Sequence, residues 1–194
     1  MTTDAPRDFT FAVPGDWWRI SLEDAVRQRA QINALVKRSV RGRPDRDTLG
    51  PQLRQLINDA VQTFDSKYAI ECYLAQELAD NVPIAASLVV SVYPPSGPEI
   101  SRLTVEAGLL AAGRTAAECA AIDVDAGRTV RTRQQVTADV DGTHTYATEG
   151  VTYSFFVPGT TGLVVLAFST PMVNVAAPLV ALFDSMAQSF RWVW

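Results

Sequence analysis

Histidine is almost missing from this sequence, with His144 the single one, and cysteine occurs only as Cys72 and Cys119. A structural zinc site needs four such ligands close together, so these counts argue against one. His144 could act as base for a serine or cysteine nucleophile, but no nucleophile motif accompanies it. It reads as a residue flanking the Asp141-Gly142 turn. Lysine is scarce too, with Lys37 and Lys67 set against many arginines. Together with abundant alanine, that pattern points to a GC-rich genome, such as an actinobacterial one. No apolar run approaches the ~20 residues that cross a bilayer. Neither a repeat nor a Gly/Ser linker interrupts the chain, which predicts one domain over residues 1–194. The segment from Met1 to Phe11 mixes Asp4, Arg7 and Asp8 with no long apolar stretch. The reading is therefore no secretory signal, a cytoplasmic location and reduced thiols.

What is present looks globular. The 194 residues are 47% hydrophobic and 20% charged, ordinary proportions for a domain able to bury its own core. The net charge of −4 hides an uneven distribution. Arg27, Arg29, Lys37, Arg38, Arg41, Arg43 and Arg46 crowd one segment against Asp45 alone, while acids outnumber bases from Gln55 onward. A polarised chain of this kind can steer a partner.

Periodicity gives the elements. A short strand over 9–13 ends at the Pro14-Gly15 turn pair. A helix follows over 21–40, capped by Ser21 or Asp16. On it Leu22, Ala25, Val26, Ile32, Val36 and Val40 share one face, and Arg27, Lys37, Arg38 and Arg41 another. Arg29 and Asn33 fall inside the apolar arc, as either a paired buried contact or a contact with a partner. A second helix over 51–65 has Pro51 in its first turn and a stripe through Leu49, Leu53, Leu56, Ile57, Ala60 and Phe64. Segments 68–76 and 84–93 read as an antiparallel hairpin about a turn at 79–83. Ser96 to Glu99 has capping-box spacing and opens a helix to about Ala111. Four strands then run over 118–124, 129–140, 145–157 and 163–170. The unbroken apolar run Leu163 to Phe168 marks the last as central and buried on both faces. A helix over 175–190 closes the chain. The class is α/β (α+β), an antiparallel six- to seven-stranded sheet with helices on both faces.

Two stretches carry a family resemblance. Phe11-Ala-Val-Pro-Gly-Asp-Trp17 looks like an opening strand with a Pro-x-x-Trp turn. Phe183-Asp-Ser-Met-Ala-Gln-Ser-Phe-Arg191 looks like a closing helix whose final Ser-Phe packs under the sheet. With the element order, these make the chain resemble the Mog1/PsbP-like fold family over almost its whole length. The resemblance implies an α/β/α sandwich and mostly protein binding. Members similar in fold include a nuclear-transport cofactor that binds a small GTPase, an extrinsic photosystem subunit and actinobacterial lipoproteins. It transfers no active-site residue.

The residues themselves offer little chemistry. Asp123 and Asp125 alternate onto one side of a strand near Glu118, but no second acidic cluster completes a metal loop. Gly159-Thr-Thr-Gly162 lacks the lysine and the strand-to-helix setting of a phosphate loop. The expectation is a non-enzymatic protein-binding adaptor or assembly subunit, with no catalytic residue, no metal and no cofactor. Candidate partner contacts are Arg27, Lys37, Arg38, Arg41, Trp18 and Trp194. The partner expected is another protein, with an acidic surface. Net acidity, and the lack of aromatics among these arginines, count against nucleic acid. A merely solvated basic face stays open. The alternative is a small-molecule-binding or enzymatic domain, with a pocket between sheet and helices lined by Arg29, Asn33 and a strand carboxylate.

Overall fold

The computed structural model describes residues 5–64, 67–75, 78–79, 82–95, 101–113, 116–139 and 145–194. His144, the Asp141-Gly142 turn and the segment from Ser96 to Glu99 lie outside the described residues. In chain order the elements are β1 (Asp8–Thr10), β2 (Trp18–Ser21), α1 (Ala25–Ser39), α2 (Arg46–Gln62), β3 (Ala69–Leu74), β4 (Leu78–Ala79), β5 (Val82–Pro83) and β6 (Ser87–Tyr93). They continue with α3 (Arg102–Ala112), β7 (Glu118–Val124), β8 (Gly127–Asp139), β9 (Thr145–Phe156), β10 (Leu163–Thr170), α4 (Ala176–Gln188) and β11 (Arg191–Val193). Seven strands make one antiparallel sheet in the order β2-β3-β6-β10-β9-β8-β7.

Strand alternation sorts the side chains into two layers. Leu88 and Val90 of β6, Tyr153 and Phe155 of β9, and Leu166 and Phe168 of β10 bury one face against Leu179 and Phe183 of α4. Residues of the opposite parity, among them Ile20, Cys72 and Val89, meet Ile32, Leu35, Val36 and Ile57 of α1 and α2 on the other face. Further along that second face lies α3, where Glu106 accepts from Arg128 and the Arg102 guanidinium covers the Phe156 ring. Helices thus cover both faces. Phe190 locks the closing segment: its ring stacks 4.0 Å from Phe155 and 5.4 Å from Phe9, with Trp192 edge-on at 4.9 Å. That stack seats β1 beside β11, which pair antiparallel.

Several expectations are corrected. Trp18–Ser21 is an edge strand and not the approach to a helix, because it pairs with Glu71 to Leu74 of β3. The helix begins at Ala25, where the Asp24 carboxylate, rather than Ser21 or Asp16, caps the Val26 and Arg27 N–H groups at 2.9 and 3.0 Å. The apolar face of α1 meets the sheet only from Ile32 onward, so Val26 is 80% exposed. Arg29 and Asn33 are exposed as well, and Asn33 accepts from Arg54 of α2 at 2.9 Å. Because α2 starts at Arg46, Pro51 stands in its second turn, where its missing N–H leaves the Asp47 carbonyl without a helical donor. Leu56, assigned to the buried stripe, is 68% exposed. The third helix starts at Arg102 with Ser101 as its cap. Central β10 alternates buried and half-buried residues, since only its α4 side is fully covered.

Candidate functional site

The basic surface is built on α1. Asp24 fixes its start, and Ile32, Leu35 and Val36 fix its rotation by burying one stripe. That rotation turns Arg27, Lys37, Arg38 and Arg41 outward. None of these four meets a carboxylate among the described residues. The arginines of the sheet behave oppositely. Arg19 pairs with Glu71, Arg128 with Glu106 and Asp123, Arg131 with Glu118 and Asp184, and Arg133 with Glu118 and Glu149. Trp18 joins the α1 surface: its ring lies under the Arg38 guanidinium, and its Nε1 donates to the Gln31 carbonyl at 3.2 Å. Trp194 does not join it. It is 58% exposed and continues from β11, whose Trp192 packs into the α4-side core.

Beside the basic end of α1 opens an apolar groove of about 450 Å³. Leu35 and Ser39 of α1, Leu53 and Leu56 of α2, Ile84 and Pro171 line it. Leu56, 68% exposed, forms one of its walls. A second groove, of about 480 Å³, runs along the α1–α2 seam between Arg29, Asn33, Arg54, Asn58 and Gln62. Arg29 and Asn33 therefore do line a groove, but among the described residues no strand and no carboxylate contributes to it.

The densest polar cluster was not legible in the sequence. Arg131 donates to Asp184 at 2.9 Å and to Glu118 at 2.7 Å, and the Tyr153 hydroxyl donates to the same Asp184. Arg133 extends the chain to Glu118 and to buried Glu149 at 2.6 Å. Burial and the Asp184 carboxylate push the Tyr153 hydroxyl well up, so it stays a donor. Burial works against the Arg131 charge, yet its bonds to Asp184, Tyr153 and Glu118 raise it further. The Arg131 bond holds Glu118 below the usual carboxylate range. On the other side of the sheet, burial and neighbouring Glu71 push the Cys72 thiol up to about 12. Such groups are spent on one another. No buried side-chain nitrogen or oxygen among the described residues lacks a partner, and no three metal-ligating side chains converge there. Asp123 and Asp125, each 75% exposed, pair with Arg128 and Arg191. The one signal that could have shown the cluster is the spacing of Arg131 and Arg133, which sets both on one strand face.

No family model matches the chain, and no curated protein matches it.

Proposed function

We propose that this chain is a non-enzymatic protein-binding adaptor or assembly subunit, one cytoplasmic domain that holds an acidic, partly apolar segment of another protein. The docking surface is the C-terminal end of α1, where Lys37, Arg38 and Arg41 are exposed and Leu35 and Ser39 line the Leu56 groove, with Trp18 bracing Arg38 from below. The observation that carries this reading is the contrast in pairing. Sheet arginines are neutralised by carboxylates, whereas the cations on and just after α1 meet no carboxylate among the described residues, and the end of α1 borders an open apolar groove. Unpaired cations beside exposed leucine offer both long-range steering and a short-range apolar anchor. Likeness to the Mog1/PsbP-like fold supports protein binding as an analogy. Arg27 extends the positive face toward the start of α1, and Trp194 is a separate candidate contact. The small-molecule alternative rests on the apolar groove, which Leu74, Ser87 and Ser169 of the sheet also line; the groove that includes Arg29 and Asn33 is an open helix seam with no carboxylate among its described residues. No helix among the described residues is long and apolar enough to cross a membrane.

The test is Leu56→Asp, assayed for binding to the protein that co-purifies from the source cells. Leu56 is 68% exposed, so the fold should tolerate the change. Affinity should fall about tenfold or more, the equivalent of ~1.4 kcal/mol. Unchanged affinity would remove the groove from the docking surface.

A further inference from the structure

The β8–β9 hairpin is longer than its neighbours. Pairing with β7 ends at Arg133, opposite Glu118, and pairing with β10 ends at Glu149, opposite Thr170. Beyond those points, among the described residues, β8 and β9 pair only with each other, out to Asp139 opposite Thr145. At a rise of ~3.3 Å per residue, the six residues from Gln134 to Asp139 project about 20 Å. Gln134, Gln135, Val136 and Thr137 are all exposed. Val136 is 49% exposed, and Tyr146, on the same face of the adjacent strand, 51%.

Open strand edges invite pairing and are ordinarily guarded by charge. The outer edges of the seven-stranded sheet and of the β1–β11 pair are guarded. Glu118 and Asp123 stand on β7, Arg19 on β2, and Asp8 and Arg191 on the β1–β11 pair. The outer side of β9 has the turn at Val173–Val175 against it. The run Gln134-Gln-Val-Thr-Ala138 carries no charge. This matters for symmetry. In a two-fold antiparallel seam, residues at equal distance from the axis face each other, so a charge at the axis would face its own copy. An uncharged run centred on Val136 is therefore self-compatible, and a seam there covers the exposed Val136 while Tyr146 flanks it.

We propose that the outer edge of β8, from Gln134 to Ala138, pairs antiparallel with the same edge of a second copy of this chain, with Val136 at the two-fold axis. The two sheets join into one, and each copy keeps its α1 surface free. This inference does not depend on the docking reading. A seam of five residues per copy is small, so the dimer forms at the weak end of protein association.

Sedimentation velocity on the full chain alone, from about 1 μM to about 1 mM, spans the range in which small interfaces dissociate. The untouched protein should shift from monomer to dimer. Val136→Lys should stay monomeric at every concentration with an unchanged melting temperature. Under mild oxidation Val136→Cys should form a covalent dimer at least ten times faster than Leu103→Cys, a control placed at an exposed position of α3 (76% exposed). A monomer throughout, a dimer that survives Val136→Lys, or equal cross-linking rates at the two cysteines would each overturn the proposal.

Discussion

The guanidinium of Arg38 lies over the indole of Trp18, 5.9 Å from the ring centroid. This contact ties the cationic end of α1 to edge strand β2. It also holds the Arg38 charge at the surface without neutralising it, since an aromatic face attracts a cation but carries no net charge. Arg38→Ala should lower stability by about 0.5–1 kcal/mol, the value of an exposed cation–π pair. Urea unfolding followed by tryptophan fluorescence checks this, and a loss above ~2 kcal/mol would make Arg38 a structural residue.

Arg131, with Asp184, Tyr153 and Glu118, clamps α4 to strands β7, β8 and β9. Replacing Arg131 by Met leaves Asp184 without its cation and Glu118 with Arg133 alone. The expected cost is about 2 kcal/mol, short of the ~3–5 kcal/mol of a fully buried pair because the Asp184 side chain is 34% exposed. Chemical denaturation measures it, and no loss would mean that water replaces the guanidinium at no cost.

The two thiols should behave differently. Cys72 is buried and its thiol is pushed up to about 12, whereas Cys119 is half-buried. At pH 8 a thiol-specific reagent should label native Cys119→Ser only as fast as the protein unfolds. Fast labelling of that variant would show that Cys72 is reached from solvent.

Stability should fall on both sides of neutral pH. The Cys72 and Tyr73 groups, each near 12 in the fold, lie above their ordinary values of ~8.5 and ~10. Their contribution is fully present below those ordinary values and is lost as pH rises toward 12. Glu118 lies below its ordinary value of ~4.3, so its contribution is present above that value and is lost as pH falls through the folded one. Melting temperatures should be flat between about pH 6 and 8 and decline outside that window. A rise in melting temperature between pH 9 and 11 would contradict this.

Gly113, at the end of α3, leaves no room for a methyl group, since a Cβ there would run into the Cys119 side chain. Gly113→Ala should cost about 1–3 kcal/mol as overpacking. The double change with Cys119→Ala should recover much of the loss, and no recovery would place the strain elsewhere.

The fold was legible where the signal is local. Strands β7 to β10 announce themselves by β-branched alternation and by turns such as Asp125-Ala-Gly127, where Gly127 takes a φ of +113°. Helix α4 shows an unbroken apolar face with Pro178 confined to its first turn. Trp18–Ser21 was missed because four residues cannot display alternation, and their strand character comes from pairing with β3, fifty residues away in sequence. Val26 and Leu56 continue helical periodicity past the point where a neighbour exists to bury them. The basic face was visible as composition, but its lack of ion pairs was not. Pairing depends on which carboxylates the sheet register and the packing of α4 supply: the register sets Glu118 opposite Arg133, and α4 brings Asp184 to Arg131 across fifty-three residues.

The most direct test of the docking account is the association rate of Arg38→Glu/Arg41→Glu with the co-purified partner, measured at low and at high salt. Exposed charges act over a Debye length of about 8 Å at physiological ionic strength, so their effect should be large only at low salt. The account predicts association slowed about tenfold or more at low salt, a difference that shrinks at high salt, and a melting temperature lowered by no more than the Arg38–Trp18 contact is worth. Equal association rates at both salts, with the fold intact, would contradict it and leave the basic face of α1 as ordinary solvated surface.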